Sequence, residues 1–206
     1  MRMFVLIGSL ENYRPRVKMA EEIRIPVYIP TPQAIAGTNH IVYPPEWRKK
    51  MKLNPTEQLV AQMLAKKRQK DNREYGNVNS KAGPQSSEFT EIQGVGGELA
   101  AAKKLNVYPD FNDGPGKYDL LWAGKTVEVK TTSYPNGGLE VPQKNVFFVP
   151  ADIYVLVIGT FPEYKVVGGA WGSKIIQETN LLTRPEYDST VYRLDQDQLD
   201  PLERFV

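Results

Sequence analysis

Within Lys125-Thr126-Val127-Glu128-Val129-Lys130-Thr131-Thr132, polar and apolar positions alternate from Thr126 to Lys130, the period of a half-buried strand. Side chains alternate across a strand, so Val127 and Val129 face one side, which seeks a core. Glu128 and Lys130 share the other. Tyr118–Trp122 reads as a short strand just before it, and Ala123-Gly124 is short enough to close a hairpin. With Trp122 opposite Lys125, counting outward sets Asp119 opposite Glu128. Directly opposed residues have Cβ atoms about 4.5–5.5 Å apart. Two carboxylates at that distance repel, and a hard cation with oxygen ligands removes the repulsion. A charged pair in mid-strand beside a second carboxylate is costly without a bound partner, so a divalent cation is the first candidate.

The same patterning predicts the other elements. Asn54-Pro55-Thr56-Glu57 is a helix start, with Asn at the N-cap, Pro at the first helical position and Glu at the third. That helix runs to about Glu74, with Leu59, Val60, Met63 and Leu64 as its apolar stripe. Residues 76–87 read as a polar loop. Phe89–Leu105 is a second helix whose early glycines (Gly94, Gly96, Gly97) weaken it but allow another backbone to approach closely. Ile153–Ile158 reads as a buried strand and Tyr164–Gly169 as its antiparallel neighbour, joined by a turn over Gly159–Pro162. A short helix is expected near Lys174–Glu178 and a last strand over Val191–Leu194. Phe4–Ile7 and Ile25–Ile29 are strand candidates in an otherwise Pro- and Gly-broken start.

Composition excludes several chemistries. The 206 residues suffice for one domain with a real core. There is no cysteine, so no disulfide framework, thiolate zinc site or cysteine nucleophile. A single histidine, His40, excludes a histidine-cluster metal site and reads as a loop residue. No apolar run approaches the roughly 20 residues of a membrane helix. The start is too short in apolar residues for a signal peptide. The expected location is therefore the cytoplasm, without membrane attachment or secretion.

Charge is unevenly placed. Residues 46–81 carry ten basic and four acidic side chains, a net +6, whereas residues 175–206 carry three basic and seven acidic ones, a net −4. A basic half suggests a polyanionic partner. The candidate backbone contacts are Lys66, Lys67, Arg68, Lys70 and Arg73 on the first helix, Asn77 beyond it, and Gln143 and Lys144 after the hairpin.

Gly97-Glu98-Leu99-Ala100-Ala101, then Tyr118-Asp119-Leu120, then Val127-Glu128-Val129-Lys130-Thr131-Thr132 resembles the PD-(D/E)XK nuclease superfamily. Ala151–Val157 and Val166–Trp171 resemble strands of its small members, phage-encoded ones included. The likeness covers about residues 72–175 and does not reach residues 1–50. One departure is Tyr118 before Asp119, where the family pattern has Pro. A second Glu-x-Lys triplet, Glu163-Tyr164-Lys165, is set aside because Pro162 and Gly159 put Glu163 beside a turn.

The resemblance implies an α/β, restriction-endonuclease-like core, a central mixed sheet flanked by helices. It would occupy residues 54–206, with residues 1–53 as an N-terminal extension. It implies a Mg²⁺- or Mn²⁺-dependent deoxyribonuclease in which Asp119, Glu128 and the Val129 carbonyl ligate the metal. Glu98 would add a ligand, directly or through water. Lys130 would orient or help deprotonate the attacking water and stabilise phosphate charge. For a phage-encoded member the compartment is the host cytoplasm. DNA is the expected partner, RNA shares the chemistry and stays open, and oligomeric state is not legible. The rival is a non-catalytic DNA-binding or virion-assembly protein on a nuclease-like fold.

Overall fold

Helix α1 (Pro55–Glu74) starts where its capping residues predict. The Glu57 N–H donates to the Asn54 side-chain oxygen at 2.9 Å, and the Asn54 N–H donates to the Glu57 carboxylate at 2.6 Å, a reciprocal capping box. Helix α2 (Ser87–Leu105) begins two residues before Phe89, because the Ser86 hydroxyl accepts the Phe89 N–H at 3.1 Å. It ends at Asn106 in the left-handed conformation, a common helix terminator.

The computed structural model describes residues 33–34, 41–42, 49–74, 86–111, 118–146, 150–185 and 188–205. All the described elements belong to the unit Thr31–Val206. The expected strands at Phe4–Ile7 and Ile25–Ile29, most of the 76–87 loop, and Asn77 lie outside the described residues. Strands β1 (Gln33–Ala34) and β2 (Ile41–Val42) form a small antiparallel pair.

The fold is α/β around a mixed five-stranded sheet. Its strands are β3 (Met51–Lys52), β4 (Leu120–Trp122), β5 (Lys125–Thr132), β7 (Ile153–Thr160) and β8 (Glu163–Trp171), in the order β3-β8-β7-β5-β4. Strands β5 and β7 are parallel and the other pairs antiparallel. The β4–β5 hairpin has the expected register, Trp122↔Lys125 to Leu120↔Val127. Ala123 and Gly124 both have positive φ, 48° and 73°, as a tight hairpin turn requires.

Each face of the sheet buries a different layer. Val127 and Val129 of β5, with Ile153, Val155 and Val157 of β7, share a core with Val95, Leu99 and Ala100 of α2 and Ala61 and Ala65 of α1. On the other face Tyr154 and Leu156 pack with Leu139, Val141, Ile175 and Leu194. That second layer is a three-stranded sheet of β6 (Leu139–Pro142), β10 (Ser189–Leu194) and β9 (Leu181–Arg184). Two short helices, α3 (Gln143–Val146) and α4 (Gly172–Ile175), flank these strands. Among the described residues, long helices therefore cover one face. No helix among the described residues is long and apolar enough to cross a membrane.

Close approach explains the glycines of α2. A Cβ built on Gly97 would lie 1.9 Å from the Thr131 hydroxyl oxygen, and one on Gly96 would lie 2.1 Å from the Tyr164 hydroxyl oxygen. The helix reaches the sheet only because these side chains are absent. Gln93 fastens it further. The Phe161 N–H donates to its side-chain oxygen at 2.6 Å, and its amide nitrogen donates to the Gly159 carbonyl at 3.3 Å.

Candidate functional site

Asp119, Glu128 and Lys130 neighbour one another where β4 and β5 pair, and Glu98 of α2 acts on Asp119 electrostatically. Glu128 and Lys130 lie two apart on β5, so the pleat puts them on one face. The Lys130 ammonium donates to Glu128 at 2.6 Å, with both side chains about three-quarters buried (24% and 25% exposed). Asp119 lies just before β4. The paired ladder ends at Leu120↔Val127, and the Asp119 carboxylate accepts the Val129 N–H at 2.7 Å. Glu98 projects from the Gly-Glu-Leu-Ala stretch of α2. Both its oxygens are held by Arg68 of α1, at 2.7 and 2.9 Å.

The electrostatics are those of crowded carboxylates. Burial pushes the Asp119 carboxyl well above the usual carboxylate range, and the negative charges of Glu98 and Glu128 push it further. The Val129 N–H and Lys130 offset this only in part. Burial acts to lower Lys130, but Glu128 and then Asp119 outweigh it, so the ammonium is held above its ordinary value. Burial also raises the Tyr154 hydroxyl, which sits beside the same Glu128–Lys130 pair. Tyr154 accepts the Ala151 N–H at 3.2 Å. Its place in an apolar run made it read as core alone.

Donor chemistry decides what this cluster can hold. Asp119 and Glu128 offer hard oxygen ligands, and the repulsion that favours a proton on Asp119 would equally favour a cation. Glu98 is engaged by a bidentate guanidinium. Among the described residues, no group of three or more His, Cys, Asp or Glu side chains stands ready-arranged for a metal ion. The residues present fit a sparse divalent site of two carboxylates, of the kind Mg²⁺ accepts with water and phosphate completing its shell.

The other candidate residues are spread out. Lys67 pairs with Asp71 at 2.7 Å and Lys70 with Glu74 at 3.7 Å along the surface of α1. Lys66 and Arg73 are exposed on the same helix. Gln143 and Lys144 open α3, in the second layer. Glu163, of the rejected triplet, starts β8 and is half-exposed beside Lys52, 3.5 Å away. The Thr131 hydroxyl is buried with no partner among the described residues, directly below the glycines of α2. The chain matches no known protein family and no curated protein.

Proposed function

We propose that this chain is a metal-dependent nuclease that hydrolyses DNA phosphodiester bonds by PD-(D/E)XK chemistry on a restriction-endonuclease-like core. The observation that carries the reading is the meeting of Asp119, Glu128 and Lys130 on adjoining strands, with Glu98 near enough to perturb Asp119. Asp119 and Glu128 are the carboxylates that would hold Mg²⁺ or Mn²⁺. The chemistry such an ion would supply there is a water acidified for attack and an offset to charge on the phosphate oxygens. Lys130, ion-paired and cationic, donates hydrogen bonds to the attacking water or to a phosphate oxygen. Arg68 holds Glu98 in place behind them. As the water oxygen bonds to phosphorus, the bond from phosphorus to the leaving oxygen breaks and a proton ends on that oxygen. The exposed basic side chains of α1, Lys66 and Arg73 among them, supply backbone attraction that weakens with salt.

A second reading has one observation in its favour. Every carboxylate of the cluster already has a protein donor: Arg68 for Glu98, Lys130 for Glu128 and the Val129 N–H for Asp119. A non-catalytic DNA-binding or assembly protein would keep such a self-satisfied cluster. Calorimetric titration with Mn²⁺, alongside a plasmid cleavage assay, separates the two. The nuclease binds Mn²⁺ and cleaves, and Asp119→Asn does neither. Wild-type protein that binds DNA but neither takes up Mn²⁺ nor cleaves is the scaffold.

A further inference from the structure

A cavity of about 600 Å³ opens beside Lys130, outside the carboxyl ends of the parallel strands β5 and β7. That end of parallel strands is where α/β sheets take ligands. The wall comes from both layers, and its charged members are Lys130, Arg184, Arg193 and Glu140. Glu128 and Asp195, paired with Lys130 and Arg193 just outside the lining, balance the three cations together with Glu140, so what this wall offers a phosphate is directional N–H donors and not net charge.

The two arginines are built in. Arg184 donates from both terminal nitrogens to Glu140, the Nη1 bond measuring 2.8 Å. Arg193 donates to the same carboxylate at 2.6 Å and to Asp195, at the exposed rim, at 2.7 and 3.0 Å. A Cβ on Gly138 would lie 3.1 Å from the Arg193 guanidinium carbon and 2.7 Å from the Leu194 carbonyl oxygen. Glycine there lets the arginine lie against the turn. A guanidinium has five N–H donors, and Glu140 and Asp195 take only part of those the pair offers. Tyr134, on the turn after β5, lines the same cavity and is 64% exposed as a residue. An exposed tyrosine beside cationic side chains is the usual platform for an unstacked base. The volume is that of a small-ligand pocket, room for about one or two unpaired nucleotides but not for a duplex.

We propose that this cavity grips an unpaired DNA strand next to the reacting phosphate, with Arg184 and Arg193 on the backbone and Tyr134 stacked on a base. The assignment rests on the nuclease reading above and gives its substrate a strandedness: a single strand or frayed end.

Fluorescence anisotropy with a labelled oligothymidylate and a blunt duplex of equal length, without divalent metal, tests it. Cleavage of both in Mg²⁺ and Mn²⁺ is measured alongside. The wild type should bind the oligothymidylate at least about tenfold more tightly than the duplex. Tyr134→Ala should lose about tenfold of that affinity. Arg184→Lys, which keeps a charge on Glu140 but not the fork, should lose a similar factor. A duplex preference, or single-strand affinity unchanged in Tyr134→Ala, overturns the cavity assignment even if metal-dependent cleavage is found. Single-strand binding that falls in the variants, with no cleavage of either DNA, upholds the cavity and overturns the nuclease reading. Should Arg184→Lys fail to fold, Tyr134→Ala decides alone, since Tyr134 is exposed.

Discussion

Arg68 and Glu98 join α1 to α2 through two charge-assisted hydrogen bonds of 2.7 and 2.9 Å, across 30 residues of sequence. The pair is mostly out of solvent, at 21% and 14% exposure, so removing one partner strands the other. Arg68→Ala leaves Glu98 facing Asp119 without a counter-charge. It should cost about 2 kcal/mol of unfolding free energy in urea titration, below the roughly 3–5 kcal/mol of a fully buried pair because both side chains keep some solvent contact. Arg68→Lys should recover only part of this, because an ammonium cannot serve both oxygens in one plane. Arg73→Ala, one turn further along and exposed, should stay within about 0.5 kcal/mol of wild type. Equal losses from Arg68→Ala and Arg73→Ala would refute the bidentate geometry.

Asp119→Asn should separate stability from function. The amide keeps an oxygen for the Val129 N–H but removes a charge that burial, Glu98 and Glu128 all oppose. In metal-free buffer the variant should be more stable by roughly 1 kcal/mol, the trade expected when a strained site is relaxed. Its cleavage rate should fall by at least about 10³-fold. Thermal melts in chelator and a cleavage time course check both halves. A variant less stable than wild type would mean that the carboxylate is not under like-charge pressure.

How much of this was legible follows from how local each determinant is. The α1 start needs only Asn54, Pro55 and Glu57, and the β4–β5 register only a two-residue turn and a period of two. Both therefore read directly. The parallel pairing of β5 with β7 depends on a partner more than twenty residues away, and nothing in either strand names the other. Strand β9 escaped notice because Leu181, Leu182 and Thr183 are all exposed and carry no alternation. Strand β6, four residues long and directly after Gly137-Gly138, is too short to show a period. Arg68 looked like its neighbours Lys66 and Lys67, because a helix face shows charge but not what packs over it. Glu98, Asp119, Glu128 and Lys130 stood out since mid-strand and mid-helix charges beside apolar runs need a reason. Their use of Arg68 and the Val129 N–H as partners is tertiary and was not visible.

The helix–sheet contact gives a matched pair of alanine substitutions. At Gly97 a Cβ would fall 1.9 Å from the Thr131 Oγ1, whereas at Gly94 nothing lies within 4 Å. Both sit inside α2, so both gain the same helix propensity of about 1 kcal/mol. Gly94→Ala should keep that gain. Gly97→Ala should reverse it and lose about 1–3 kcal/mol net, since β5 or α2 must shift. Cutting Thr131 back in the double variant Gly97→Ala/Thr131→Ala should recover much of the loss, a coupling that a double-mutant cycle in urea reads directly.

The C-terminal segment adds a pH dependence remote from the charged cluster. Burial acts to raise the Asp200 carboxyl, but Lys174 at 2.7 Å and Arg204 at 2.9 Å outweigh it and hold it below the usual range. The folded state therefore binds this proton less readily than the unfolded one. Its contribution is full above the unfolded aspartate value of about 3.9 and disappears as pH falls through the lower folded value. The same residue pairs its backbone with Gly169 of β8, at 2.8 and 2.9 Å, and these bonds survive Asp200→Asn. That variant should lose about 1 kcal/mol at neutral pH, a modest figure because Arg204 is more than half exposed and screened. The gap to wild type should shrink as pH drops below about 3.9. Urea titrations of both proteins across acid and neutral pH measure it, and a gap that stays constant or widens towards acid would show that the carboxylate is not held low by Lys174 and Arg204.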